Sequence, residues 1–190
     1  MDAKIMKAFI TGCTSKLGAH IVEAFEARGI EVIGHYNNNK PSVLKDAFCA
    51  DFTSQQSFEE LLHKIERYLP IDILINNAAI FKADAIGDFS DENFFEHVKI
   101  NALAPIKLTR FIASNQKENL RVVNILDAML LRGTTAHFTY YLSKKTLEAA
   151  SILIKRSFKN VKIKNLYLPK MTTKMKIDRL NQILCHLVKL

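Results

Sequence analysis

The chain has 190 residues, of which 48% are hydrophobic and 24% charged, and its formal net charge is +8. That length and balance suit one globular domain, 1–190, with a core of its own, and exclude a disordered, fibrous or low-complexity chain. No apolar run reaches the roughly eighteen residues of a membrane span, and the N-terminal MDAKIMKAFITG carries no signal-peptide pattern.

The three cysteines, Cys13, Cys49 and Cys185, are widely spaced and match no metal-ligand pattern, so free thiols in a reducing cytoplasm are expected. Lysine and arginine are spread along the chain, crowding at 155–164 and 170–179. No nucleic-acid motif accompanies them, so a solvated basic surface that could serve a small anionic ligand is the expectation.

Lys7–Thr11 (KAFIT) reads as a short buried strand and Gly12–Gly18 (GCTSKLG) as the turn after it. Leu17, Ile21, Val22 and Phe25 then stripe a helix running to Ala27. Strand, glycine turn and helix in that order make an anion site, because unpaired N–H groups at the helix N-terminus face the ligand. The spacing is TGxxxxxG rather than G-x-G-x-x-G, with Lys16 where a third glycine often sits. Gly12, Thr14, Ser15, Lys16, Leu17 and Gly18 are the candidate diphosphate-binding residues.

A second strand, Ile30–Tyr36, ends in Asn37, Asn38, Asn39 and Lys40. An NAD site of this type has an acid there for the ribose hydroxyls. Amides and positive charge in its place favour NADP(H), with His35, Tyr36 and Asn37 beside the cofactor. Ala47–Phe52 is expected as a third strand bringing Asp51 and Phe52 to the same place, and Ser54 caps a helix running to Tyr68. Asp72–Asn76 is the fourth strand. The small residues after it, Asn77, Ala78 and Ala79, either let a flat ligand reach the backbone or form a tight packing turn. Ser90 or Asp91 opens a long helix with Asn101 in its middle, and Pro105 is expected to kink it.

The stretch from Val122 to Glu148 carries the chemistry. Val122–Leu126 is a strand with Asp127 at its end, and a helix from about His137 to Phe158 carries Tyr140 and Lys144. Residues four apart share a helix face, so an ammonium stands near a phenol and is expected to lower its pKa towards neutrality. Such a tyrosine can exchange a proton at working pH. Asp127 either closes this site or caps the loop 128–136. A tyrosine and lysine four apart are weak evidence alone; the elements around them give the pair its weight. Val161–Leu168, closed by Pro169, is a sixth strand, and 172–190 reads as a basic amphipathic helix with Met175, Leu180, Ile183, Leu184 and Leu187. Alternating strands and helices predict an α/β fold, a doubly wound parallel sheet of about six strands with helices on both faces.

TGCTSKLG at 11–18, Asp51, NNAA at 76–79, Asn101, and Tyr140 with Lys144, in this order, resemble the short-chain dehydrogenase/reductase family over the chain to Pro169. The resemblance implies that Tyr140 is the catalytic acid, that Lys144 binds the nicotinamide ribose and lowers the Tyr140 pKa, and that Asn101 holds a water in a proton relay. It also implies an adenine contact for Asp51 and cofactor contacts for Asn77, Ala78, Ala79 and Pro169. The family usually has serine where Asp127 stands. That acid, Lys16, Phe81 and DAMLLRGTTAHFTYYLSK are similar to the pteridine reductase branch, dihydromonapterin reductases nearest. This likeness implies NADPH-dependent reduction of a dihydropterin (dihydromonapterin, dihydrobiopterin or dihydrofolate), with Phe81, Asp127 and Tyr140 at the substrate and no metal. The alternative is an NADP(H)-binding sensor or assembly protein of the same fold with reduced catalysis. A homodimer through the helices at 90–115 and 137–158 is expected, and neither nucleic acid nor membrane as partner. Family members continue past the sixth strand with a substrate loop, a helix and a last strand, whereas here 170–190 are expected to form one helix in their place.

Overall fold

A computed structural model describes residues 4–42 and 44–169. The helix expected at 170–190 lies outside these described residues. Six parallel strands, β1 Lys7–Thr11, β2 Glu31–Tyr36, β3 Ala47–Cys49, β4 Ile73–Asn76, β5 Leu120–Asp127 and β6 Val161–Leu168, form one sheet in the order β3-β2-β1-β4-β5-β6. The order reverses between β1 and β4, which opens a crevice at the C-terminal strand ends, the place where doubly wound sheets bind ligands. The helices are α1 Lys16–Glu26, α2 Gln55–Glu66, α3 Asp91–Val98, α4 Ala104–Ser114 and α5 Phe138–Ser157.

The central strands are apolar on both faces because both faces are covered. Ala8 and Ile10 of β1 pack with Ile21 and Phe25 of α1. Phe9 between them faces the other way, into a core with Phe58, Leu61 and Ile65 of α2 and Leu108 and Ile112 of α4. A one-residue slip of β1 would exchange these two sets, so the register is strongly determined.

A polar row crosses the sheet just short of the crevice. Asn76, Asn124 and Asn165 are register partners on β4, β5 and β6. The Asn76 amide donates to Asn124 Oδ1 at 2.8 Å, and the Asn124 amide donates to Asn165 Oδ1 at 3.1 Å and to Ser151 Oγ of α5 at 3.0 Å. Asn76 Oδ1 alone in this row lacks a partner among the described residues, and a buried network paired to this degree favours one arrangement. Here it pins α5 to the strands and so sets the height at which its side chains reach the crevice.

Two local expectations change. β3 ends at Cys49 rather than Phe52, because the Asp51 carboxylate turns back to accept from the Thr53 N–H and hydroxyl, both at 2.8 Å. The long helix is interrupted ahead of Pro105, by a π-helical turn at Lys99–Leu103. Pro105 has no N–H for the carbonyl four residues earlier, that of Asn101, and its ring crowds it; a wider turn relieves both.

Candidate active site

The glycine turn is built from two sides. Gly12 has φ +64°, and a Cβ on it would lie 3.0 Å from Ala78 Cα. A Cβ on Gly18 would lie 2.1 Å from the Gly12 carbonyl oxygen, so no other residue fits at this crossing without moving backbone. Ser15 caps α1, its hydroxyl accepting from the Gly18 N–H at 3.0 Å. The Asn77 side-chain amide is spent inside the turn, on the carbonyls of Thr11 (2.9 Å) and Gly12 (3.0 Å) and on Ser15 Oγ (3.1 Å). The Thr11 hydroxyl accepts from the N–H groups of Asn77 and Ala78, both at 3.0 Å.

His35 clamps the other side. Its Nδ1 accepts from the Gly12 N–H at 3.3 Å, and its Nε2–H donates to the Ala50 carbonyl at 2.9 Å. The ring is 3% exposed and stacks on Phe52, with centroids 4.1 Å apart. Burial lowers its pKa to about 4 against the support of Ala50, so at neutral pH the ring is uncharged and holds the one tautomer that suits both neighbours.

A cavity of about 320 Å³ follows this turn, walled by Gly12, Thr14, Ser15, His35, Asn37, Asn38, Asn39, Asp51, Phe52, Asn77, Ala78 and Ala79 among others. A second, of about 370 Å³, holds Leu17, Phe81, Asp127, His137, Tyr140, Lys144 and Pro169. Asn77 and Ala79 belong to both walls, so the two make one crevice. Four of the expected site residues line neither. Lys16 begins α1 at the surface, Gly18 lies under the turn, Tyr36 packs on the α1 side of the core, and Asn101 is wholly buried.

Asn101 works from behind. Its Oδ1 accepts from the Ile80 N–H at 2.9 Å and its amide donates to the Ile80 carbonyl at 3.0 Å and to Ser143 Oγ at 3.1 Å. The side chain thus holds the segment that follows Ala79 against α5, next to Lys144.

Tyr140 and Lys144 lie together as their spacing requires, 7% and 2% exposed. The expected lowering of the Tyr140 pKa is not what this geometry produces. Burial, and then the negative charge of Asp127, push the phenol well above its ordinary range. The Lys144 ammonium donates to the Ile125 carbonyl at 2.9 Å, with Nζ 5.9 Å from the Tyr140 ring centroid. Burial brings its pKa down to about 8, with Asp127 opposing. Asp127 is placed both at the loop and at the cavity. One carboxylate oxygen caps the 3-10 turn Ala128–Leu131 by accepting from the Met129 N–H at 2.8 Å, and the residue also lines the cavity.

The sequence reading missed what starts α5. His137, the residue before the helix, makes no capping bond with its side chain. The cap comes instead from Asp84, on the segment between β4 and α3. Its carboxylate accepts from the Thr139 N–H (3.1 Å), the Thr139 hydroxyl (2.6 Å) and the Asn93 amide (2.8 Å). Burial raises the Asp84 pKa, but these donors outweigh it and hold the carboxyl below its ordinary value. A charged cap at a helix N-terminus is also favoured by the helix dipole. On the same segment, Phe81 meets Tyr140 edge-on at 4.7 Å and stacks on His137 at 4.0 Å.

The short chain dehydrogenase family pattern matches residues 6–183. The chain belongs to this family. Among curated relatives it is 28% identical over 155 residues to the 3-oxoacyl-(acyl-carrier-protein) reductase FabG of Haemophilus influenzae, covering 76% of this chain and 63% of FabG. The L-xylulose reductase of Caenorhabditis elegans is 27% identical over 154 residues, 75% of this chain and 61% of that enzyme. The chain therefore spans less than two thirds of the length of these relatives. Among solved structures, FolM alternative dihydrofolate reductase 1 from Brucella canis, complexed with NADP, superposes with a TM-score of 0.79 at 21% identity, over 92% of this chain and 78% of that one. The bulky-bulky ketone specific alcohol dehydrogenase from Comamonas testosteroni gives 0.84 at 20% identity, over 97% and 82%. These likenesses establish the doubly wound fold.

Proposed function

We propose that this protein is an NADPH-dependent reductase of a dihydropterin, of the dihydromonapterin, dihydrobiopterin or dihydrofolate kind. The observation that carries the reading is Asp127 in one cavity with Tyr140, Lys144 and Phe81. A C=N bond being reduced gathers positive charge as its nitrogen is protonated. A carboxylate stabilises that charge; the serine hydroxyl usual in the family gives less.

The crevice suits a dinucleotide. Gly12, Thr14 and Ser15 line the wall at the α1 N-terminus, whose positive dipole end favours a diphosphate, and Asp51 and Phe52 border the far end. Asn37, Asn38 and Asn39 line the wall where an acid would select NAD(H), so their amides support NADP(H). FolM, bound to NADP, is a reductase of related substrates with this fold. The reduced nicotinamide supplies the hydride when bound. Tyr140, kept as a phenol, supplies the proton; Lys144 holds the cofactor ribose, and Asn101 keeps the 77–81 backbone in position behind both.

The test is NADPH oxidation with quinonoid and 7,8-dihydropterins by wild type and Tyr140→Phe. Turnover that falls by about a hundredfold or more in the variant supports the reductase. Cofactor binding with no wild-type turnover of any dihydropterin rejects it in favour of an NADP(H)-binding sensor. Exposed Phe95, Leu103, Ile152 and Leu153 on the α3–α4 stretch and α5 support a homodimer through these helices. A monomeric mass in sedimentation would reject that assembly.

A further inference from the structure

His137 is fixed more tightly than a loop residue needs to be. Its backbone sits at φ 59°, ψ 45°, a left-handed conformation rare for residues with a side chain. Its Nδ1 is 3.0 Å from the Lys82 carbonyl oxygen. A carbonyl brings no hydrogen, so Nδ1 carries it and donates. The ring lies on Phe81, with 4.0 Å between centroids and 27° between planes.

Lys82 is held in turn. Its N–H donates to Nε2 of the fully buried His97 at 3.4 Å, and His97 Nδ1 bonds the Asn93 carbonyl at 2.8 Å. The two imidazoles therefore hold the backbone of Lys82 from either side, one at its N–H and the other at its carbonyl. The ring is not spent on starting α5, because the His137 side chain makes no capping bond and Asp84 supplies the side-chain cap. The ordering leaves Nε2 of His137 without a protein hydrogen bond among the described residues, on a residue that walls the cavity of Asp127, Tyr140 and Lys144. Strained backbone that persists beside a site is characteristically used by it.

We propose that His137 is a substrate-binding residue whose Nε2 hydrogen-bonds a polar group of a flat substrate bordered by Phe81 and Tyr140. The inference rests on the reductase reading above and adds a specificity contact to it. The partner is a side-chain hydroxyl or a ring nitrogen of the dihydropterin. A hydroxyl both donates and accepts, so it suits Nε2 whether or not that atom carries a hydrogen.

The experiment measures KM and kcat at saturating NADPH for wild type, His137→Phe and His137→Gln. Two substrates are compared: 7,8-dihydrobiopterin, with a hydroxylated side chain, and 6-methyl-7,8-dihydropterin, with none. Phe keeps the stacking on Phe81 and removes the polar atom. Its KM is expected to rise about tenfold, the effect of one lost hydrogen bond, with kcat changed much less. Gln, which restores a polar end, recovers part of the loss. A defect confined to dihydrobiopterin assigns the contact to the side chain, and a defect with both substrates assigns it to the ring; either supports the proposal. An unchanged KM in His137→Phe overturns it while leaving the reductase standing. A collapse of kcat at constant KM, or loss of NADPH binding in both variants, also overturns it, since His137 would then only support the fold of the site. No wild-type turnover of any dihydropterin removes the reductase reading, and this inference with it.

Discussion

Acid should weaken this protein through one buried ring before it reaches the carboxylates. His35 titrates near 6.5 in an unfolded chain but only at about 4 in the folded one. Below 6.5 the unfolded chain takes up a proton that the folded chain refuses. Stability from this group is therefore complete above that pH, falls steadily towards about 4, and changes no further below it. At 1.36 kcal/mol for each pH unit the loss comes to about 3 kcal/mol, and with the ring 3% exposed, solvent screens little of it. That is a large share of the 5–15 kcal/mol, roughly, that holds a domain folded. Protonation of the folded ring takes the Nδ1 acceptor from the Gly12 N–H, so the turn that would receive the cofactor diphosphate should loosen only as the pH approaches about 4. Urea unfolding at several pH values between 7 and 4 measures the effect, with His35→Gln as the reference. Glutamine can donate and accept but does not titrate, so the variant starts less stable and declines less steeply. Parallel curves for the two proteins would refute the assignment and place the acid sensitivity elsewhere.

Other consequences follow from the same geometry. With Lys144 at about pKa 8, its ammonium exists below that pH, and kcat/KM should fall as pH rises through it; a profile flat into the ordinary lysine range would remove the ammonium from the mechanism. Asp84→Ala removes the cap of α5 and should cost about 1 kcal/mol in urea unfolding while lowering kcat through Tyr140; unaltered stability would show that the cap is replaceable by water. Gly18→Ala forces a methyl against the Gly12 carbonyl and should destabilise by about 1–3 kcal/mol with a clear loss of NADPH affinity by titration. An alanine variant that binds as well as wild type would mean that the crossing at Gly12 relaxes freely.

Most of the sheet could be read along the chain because its inner strands are buried on both faces. Lys7–Thr11 and Val161–Leu168 have the expected bounds, and the other strands and helices start or stop within a few residues of theirs. The departures occur where a side chain competes with the backbone. Asp51 ends β3 early by bonding Thr53, a local choice that an apolar pattern does not register. Pro105 disturbs the helix not at itself but in the turn before, because the missing N–H is felt at the Asn101 carbonyl. At the site, spacing placed Tyr140 and Lys144 on one face, yet it says nothing about how dry that face is. Burial decides the direction of both pKa values. Asp84 was hidden for a different reason: a helix cap is sought just ahead of the helix, and this one comes from 55 residues away in sequence. Asn101 braces Ile80, a partner that only the folded chain brings beside it.

The two pKa shifts bear together on the direction of chemistry. A phenol pushed upward by burial and by Asp127 holds its proton firmly at neutral pH. An ammonium brought down to about 8 still holds its charge there, with Asp127 helping it do so. The crevice at neutral pH thus contains a protonated phenol, a cation and the carboxylate that favours both of those forms. In oxidation a substrate group must give up a proton to a base, and a phenol in this state is a poor one. In reduction a nitrogen gaining hydride at its neighbouring carbon needs a proton from an acid, and the phenol is the acid on hand. The transferred proton leaves behind a phenolate that Asp127 opposes and the Lys144 ammonium favours, so donation must be driven by the basicity of the reduced nitrogen. For the proposed dihydropterin, hydride addition to the carbon of C=N leaves a nitrogen far more basic than a phenolate, so breaking the Tyr140 O–H and forming the product N–H runs downhill. Replacing Asp127 by serine, the family's usual residue, removes that opposition and should bring the Tyr140 pKa down. Carbonyl substrates should then gain relative to dihydropterins in kcat/KM, and an unchanged preference would show that Asp127 caps its loop and does nothing more.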